Sequence, residues 1–249
     1  MEHSYDTTFM DYTDRSSRHS ARTIARLLRE VLPIDSVLDI GCAKGTWLAA
    51  WREAGVEDVF GVDGDYVDTN ALHIPREKFT AADLAKPIDL GRRFALVQSL
   101  EVAEHVRADA AGQFVANLVR HADGVILFSA APPGQGGEFH VNEQPYDYWR
   151  AKFRAQGYEA YDYVRPLIAG DADISFWYRY NTLLYLRADV ASAVPESIRR
   201  TRIADASPVA DVSPTMFRLR KSVIRCLPYP VQHRLARLKA RYARASTRR

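Results

Sequence analysis

Val37-Leu38-Asp39-Ile40-Gly41-Cys42-Ala43-Lys44-Gly45-Thr46 places a short apolar run, an acid, and then a small residue at every second position, and Trp47-Leu48-Ala49-Ala50-Trp51 follows with helical patterning. That order reads as strand, tight turn, helix. Gly41 and Gly45 let the backbone turn sharply and approach a ligand, and Ala43 between them adds only a methyl group. A helix opening near Thr46 aims its unpaired N–H groups and the positive end of its dipole at an anionic group such as a carboxylate. The same junction is also an ordinary structural joint, so its meaning depends on the next strands of the chain.

About twenty residues further on, where an α/β nucleotide site needs a carboxylate to accept both ribose hydroxyls, Val59-Phe60-Gly61-Val62-Asp63 is a second apolar run ending in an acid. A third run, Phe79-Thr80-Ala81-Ala82-Asp83-Leu84, also closes on an acid. These three ordered strand ends resemble the class I S-adenosylmethionine-dependent methyltransferases, over roughly residues 35 to 187. The family's first turn, D-x-G-x-G/A-x-G, is matched by Asp39, Gly41, Ala43 and Gly45. The resemblance implies that Asp63 binds the ribose, that Asp83 and the backbone of Leu84 contact the adenine, and that Ser99 on the fourth strand joins the cofactor set. It also implies a Rossmann-like α/β fold, with a seven-stranded, mostly parallel sheet of order 3-2-1-4-5-7-6 flanked by helices.

A chain of 249 residues with 47% hydrophobic content is long enough for one sizeable α/β core with appendages. Cys42 lies in the first turn and Cys226 near the C-terminus, a distribution that argues against a disulfide framework and for a reducing compartment. Met1 to Ser20 is polar, and no run approaches the length needed to cross a bilayer, so a cytoplasmic protein is expected. The net charge of +3 is unevenly spread: Pro214 to Arg249 holds eleven Lys or Arg and no acid, which leaves the preceding 213 residues at −8.

Residues 1 to 15 carry Tyr5, Phe9, Asp11, Tyr12 and Asp14 without clear periodicity and read as a frayed end or as a lid supplying Tyr12. Asp14 reads as the N-cap of a helix to about Val31, with Ile24, Leu27, Leu28 and Val31 on one face. Tyr66 to Pro75 is expected to be a short helix and loop, Phe94 to Leu100 a buried central strand, Ala108 to Arg120 a helix, Gly124 to Ser129 a strand, and Tyr146 to Gln156 a helix. Tyr158 to Val164 and Tyr180 to Arg187 are the last two strands, which in the family form an antiparallel edge. The methyltransferase domain, with its N-terminal helical lid, is expected to span 1–189. Residues 190–249 then form a linker and a basic amphipathic tail.

The fourth strand runs directly into Glu101-Val102-Ala103-Glu104-His105. In a first helical turn, Glu101, Glu104 and His105 share one face, at the carboxyl end of the central strand where α/β ligands bind. Two carboxylates and an imidazole suit magnesium or manganese, and the imidazole also admits zinc, cobalt or iron. Alternatively, the acids complement a helix end and the histidine packs. His140 follows the Gly-rich loop after the fifth strand and opens His140-Val141-Asn142-Glu143-Gln144. E-x-x-E-H with a later loop histidine resembles the plant small-RNA 3′-terminal 2′-O-methyltransferases, and the E-x-x-E-H alone the UbiG-type catechol O-methyltransferases. The first resemblance implies a magnesium ion held by Glu101, Glu104, His105 and His140 and completed by vicinal hydroxyls. His140 is otherwise a metal-free general base or a loop cap.

Asn142, Gln144, Tyr146, Trp149, Phe176, Trp177, Tyr178 and Arg179 are polar or aromatic groups suited to a sugar or aromatic acceptor at the mouth. Arg179 would meet an anionic group or pair with Asp171 or Asp173. In the tail, Phe217, Ile224 and Leu227, and then Val231, Leu235, Leu238 and Tyr242, recur at helical spacing among basic residues. Two basic helices there would lie on a membrane surface, hold a nucleic acid, or dock on this body or a second copy as a homodimer; a solvated tail is the remaining option. The acidic body counts against a long polyanion. The expected activity is transfer of a methyl group from S-adenosylmethionine to a hydroxyl of a vicinal diol on a sugar, glycan or small metabolite, with magnesium or manganese. Alternatives are a catechol O-methyltransferase, a metal-free N- or C-methyltransferase, and a non-catalytic scaffold.

Overall fold

The computed structural model describes residues 7–227 and residue 231, the first ten of them as backbone alone. In chain order the elements are α1 (Thr7–Arg29), β1 (Ser36–Ile40), α2 (Thr46–Glu53), β2 (Asp58–Asp63), β3 (Phe79–Ala81), β4 (Leu96–Leu100), α3 (Ala111–His121), β5 (Val125–Ser129) and α4 (Tyr146–Arg154). They continue with β6 (Tyr158–Tyr161), α5 (Val164–Ile168), α6 (Phe176–Asn181), β7 (Leu183–Arg187), α7 (Ala188–Ala191), α8 (Glu196–Arg199) and α9 (Thr215–Arg225).

The strands form the expected seven-stranded sheet of order β3-β2-β1-β4-β5-β7-β6, parallel except for β7, which runs antiparallel to both β5 and β6. Side chains alternate between two cores, as the pleat requires. Val37, Leu96, Leu127 and Leu184 face α1 and α2 with Ile24, Leu28 and Trp51. Leu38, Val97, Ile126 and Tyr185 face α3 and α4 with Phe114, Leu118 and Phe153. A large apolar side chain buried this fully contributes roughly 1.5–3 kcal/mol. Asp39 pairs in register with Gly61 of β2 and Gln98 of β4, so the acid of the first turn lies on the central strand, where the strand order reverses.

Several expectations are corrected. The first helix begins at Thr7, so Asp14 is interior to it and not its cap, and residues 7–16 are not a frayed end. The side-chain role expected of Tyr12, and Tyr5 altogether, lie outside the described residues. Tyr66 to Pro75 contains only one 3₁₀ turn, Thr69–Ala71. β6 stops at Tyr161, and α5 and α6 intervene before β7, so Trp177, Tyr178 and Arg179 ride on a helix. The expected linker is fastened to the body: the Arg150 guanidinium donates to the carbonyls of Ile203, Ala204 and Ser207 at 2.9, 2.8 and 2.6 Å. Arg165 reaches the Ala210 carbonyl at 2.9 Å, and Ile203 N–H donates to the Ala160 carbonyl at 2.9 Å. Side-chain periodicity misses such a segment because backbone carbonyls hold it. α9 is one expected tail helix; the second lies outside the described residues apart from Val231. Among the described residues no helix is long and apolar enough to cross a membrane.

Candidate active site

The first turn is built from left-handed backbone, with φ of 91° at Gly41, 48° at Ala43 and 77° at Gly45. A Cβ on Gly41 would fall 2.4 Å from a methyl group of Val102, so this glycine also lets the segment after β4 press against the turn. The Ala43 N–H donates to Asp63 Oδ2 at 2.7 Å, which joins the turn to the end of β2. Asp63 Oδ1 accepts from the Gly64 N–H at 2.7 Å and from the Tyr66 hydroxyl. Burial raises the Asp63 pKa, and these hydrogen bonds oppose the rise. Burial lifts Asp39 further, to about 7, against the pull of Gln98 and with the charge of Asp63 adding to the rise.

Asp83 follows β3, and its Oδ1 accepts from the Ala85 N–H at 3.0 Å, while Leu84 leans on the second core. The fully buried Ser99 hydroxyl donates to the Ile40 carbonyl at 2.7 Å, joining β4 to β1.

The acceptor side begins where β4 breaks. Glu101 has a left-handed backbone, φ 57°, and its N–H donates to the carbonyl and hydroxyl of Ser129 at 3.0 and 3.1 Å. The helix expected here is a single 3₁₀ turn, Ala103–His105, so the shared helical face does not form. The carbonyl of Glu104 accepts the N–H groups of Val141 and Asn142 at 2.9 and 3.0 Å. That pair of bonds brings His140 to the same place.

His140 Nε2 lies 3.9 Å from Glu104 Oε1, and the rings of His105 and His140 meet edge to face with centroids 4.9 Å apart. One ligand atom from each of Glu104, His105 and His140 lies within 4.8 Å of the others. Glu101 stands beside this trio and is held by amides: Asn181 Nδ2 donates to Oε1 at 3.0 Å and Gln135 Nε2 to Oε2 at 2.8 Å. Burial raises Glu101, opposed by those amides. Burial, and then the neighbouring Glu101 charge, push Glu104 well above the carboxylate range.

Three residues without an expected role organise this geometry. Glu143 accepts from the Gly134 and Gly136 N–H groups at 2.8 Å each, and its Oε1 lies 2.7 Å from His140 Nδ1. Its position three residues after His140 was a usable signal. Gln135 and Asn181 are bonded to each other at 2.9 Å as well as to Glu101, and no local pattern marks them.

Of the expected acceptor residues, Asn142 is 3% exposed and its Oδ1 accepts from Gln144 at 2.9 Å. The Tyr146 hydroxyl donates to Asn181 Oδ1 at 2.8 Å. Trp149 is a correction: it is 1% exposed and packs against Phe128, inside the core rather than at the mouth. Tyr178 stands edge-on to Trp47 with centroids 5.0 Å apart, its hydroxyl 2.8 Å from Ser17 Oγ; it belongs beside the cofactor turn. Arg179 lies over the Tyr180 ring at 5.4 Å, and Asp171 pairs with His19 at 2.8 Å.

A family model described as a methyltransferase domain matches residues 12–163. No curated protein matches the sequence. Among solved structures, magnesium protoporphyrin IX methyltransferase from Synechocystis PCC 6803, with bound SAH, is 19% identical. The match covers 76% of this chain and 90% of that one with a TM-score of 0.53. A sugar N-methyltransferase from Streptoalloteichus sp ATCC 53650 is 18% identical, over 70% of this chain and 87% of that one, with a TM-score of 0.53. An amino pentose methyltransferase from Micromonospora echinaspora is 18% identical, over 76% of this chain and the whole of that one, with a TM-score of 0.52.

Proposed function

The chain belongs to the methyltransferase-domain family, as an S-adenosylmethionine-dependent enzyme of class I fold, and on that premise we propose that it methylates a hydroxyl oxygen of a vicinal diol on a sugar, glycan or small metabolite. In this reading a divalent cation, magnesium or manganese, is held by Glu104, His105 and His140, with Glu101 beside them. The observation that carries it is the convergence of those three ligand atoms within 4.8 Å of one another.

The residues fit a cation. Glu104 Oε2 is buried without a hydrogen-bond partner among the described residues, and two buried acids are raised in pKa side by side, a repulsion that positive charge relieves. One carboxylate with two imidazoles suits a borderline divalent ion, and the Glu101 carboxylate beside them moves the set toward the oxygen ligation that magnesium and manganese prefer. Glu143 behind His140 Nδ1 is the carboxylate support that metal-binding histidines use. A cation held by Glu104, His105 and His140 would supply Lewis acidity that makes an acceptor hydroxyl easier to deprotonate.

The chain's own groups do the rest. Asp63, already accepting two backbone N–H groups, offers its carboxylate to the ribose. The Gly41–Gly45 turn lets the cofactor approach the sheet end, and Val102, packed against Gly41, ties cofactor and acceptor loops together. Positioning the acceptor oxygen in line with the sulfonium methyl group then supplies much of the acceleration. The sugar N-methyltransferase and amino pentose methyltransferase among the structural neighbours support a saccharide acceptor.

A second reading rests on the His140–Glu143 pair. With Nδ1–H donated to Glu143, His140 Nε2 is a general base oriented by a carboxylate, sufficient for a catechol or a metal-free N- or C-acceptor. Methyl transfer from labelled cofactor to a panel of diols, with and without EDTA, separates the two. Activity lost with EDTA and restored by magnesium or manganese supports the cation; undiminished turnover in metal-free buffer leaves His140 as base.

A further inference from the structure

α9 has two faces with different surroundings. Its inner face is anchored: the Phe217 ring packs on Phe176 and Tyr180 at 4.9 and 5.9 Å, Lys221 pairs with Asp211, and Arg220 reaches the Gln135 carbonyl at 3.4 Å. Its outer face holds Met216, Leu219 and Val223, spaced three and four apart and 75%, 57% and 56% exposed. Side chains at that spacing form one stripe along a helix. Arg218 and Arg225, both exposed, lie on one flank of the helix, about 100–120° around from Leu219 and past Ser222.

We infer that this outer face of α9 seats the enzyme on an anionic lipid bilayer. An apolar stripe with arginines on a flank of the same helix is the pattern of a helix lying in a membrane interface, with the guanidinium groups at the headgroups and the apolar side chains at the acyl boundary. The charge distribution argues for the same occupant. The segment from Pro214 onward carries eleven Lys or Arg and no acid of its own; apart from Lys221, which Asp211 neutralises, these charges add to the attraction to a negative leaflet. The preceding 213 residues, net −8, are repelled by that leaflet, which confines contact to this end of the molecule. A nucleic acid would use the arginines and leave Met216, Leu219 and Val223 in water. Since α9 rests on Gln135, the residue that binds Glu101, seating it on a bilayer brings the acceptor-side loops close to the membrane. The inference is independent of the metal.

Flotation of the full-length protein with phosphatidylcholine vesicles, with and without about one-third phosphatidylglycerol, tests it. The expected result is at least about tenfold more protein floating with the anionic vesicles, a difference that high salt reduces. Leu219→Ser with Val223→Ser should lower the floated fraction about fivefold at unchanged melting temperature and cofactor affinity, since both side chains are exposed. Arg218→Glu with Arg225→Glu should do the same. No flotation on anionic vesicles at low salt overturns the inference. So does flotation that ignores the serine variants, or a dimer that those variants dissociate in the absence of vesicle binding.

Discussion

The two halves of the proposed active site are assembled in opposite ways. The proposed cofactor half draws on consecutive β–α turns, so Gly41–Gly45, Asp63 and Asp83 each sit at or just past the end of a strand that the local pattern already announces. The acceptor half draws on three distant segments: Glu101–His105 after β4, Gln135–Gln144 after β5, and Asn181 at the end of α6. Its members meet through bonds such as Asn142 N–H to the Glu104 carbonyl and Asn181 to Glu101. The close approach of Val102 to Gly41 is one place where the halves meet. On the proposed reading, substitutions in one half should leave the other's role largely intact.

The largest expected effect is on the acceptor half alone. Glu104→Ala and His140→Ala should each lower turnover by about 1,000-fold or more, on the order of 4 kcal/mol in the barrier, while cofactor affinity by calorimetry stays within about twofold. A comparable loss of cofactor affinity would show that the halves are not independent.

Next is the pH dependence of the apo protein, which probes the cofactor half. Asp39 is raised to about 7 in the fold, against about 3.9 in an unfolded chain. Below about pH 4 both states are protonated and nothing is lost. Between about 4 and 7 the unfolded chain releases the proton while the fold retains it, so stability falls as pH rises, by up to about 4 kcal/mol, and is then flat above about 7. Urea unfolding of the wild type and Asp39→Asn at pH 5 and pH 8 measures this. The asparagine variant should lose the share of the difference that Asp39 contributes and keep the share from Asp63, Glu101 and Glu104, which burial raises in the same direction.

Asp63→Ala should weaken S-adenosylmethionine binding by roughly 30-fold, about 2 kcal/mol for charged hydrogen bonds lost, with turnover at saturating cofactor changed far less. The smallest effect tests the support behind His140. Glu143→Gln should lower kcat about tenfold, because the imidazole loses the carboxylate at Nδ1. An unchanged kcat would leave Glu143 as a loop clasp for Gly134 and Gly136 only.

Legibility followed the same division. The β1 turn and Asp63 could be read because alternation and glycine spacing are local properties of the chain. The meeting of Glu104 with His140 was anticipated from topology, but the way they meet was not: a helical face was expected, and Glu101 instead turns left-handed. Trp149 looked like a mouth residue because an aromatic side chain carries no mark of the direction in which it points. The segment after residue 190 looked like a linker because Arg150 and Arg165 hold it by its carbonyls.

The sequence by itself determined the strand–turn–helix junction at Gly41–Gly45 and the uneven charge, since each follows from the spacing of side chains along the chain, and the order of the sheet was implied by the resemblance to the methyltransferase family. Only the tertiary structure decided that Glu104, His105 and His140 form the trio while Glu101 is held by Asn181 and Gln135. It also decided that Glu143 backs His140 and that α9 turns Phe217 inward and Leu219 outward. Those outcomes depend on backbone bonds between segments far apart in the chain, and the side-chain pattern of neither partner encodes such bonds.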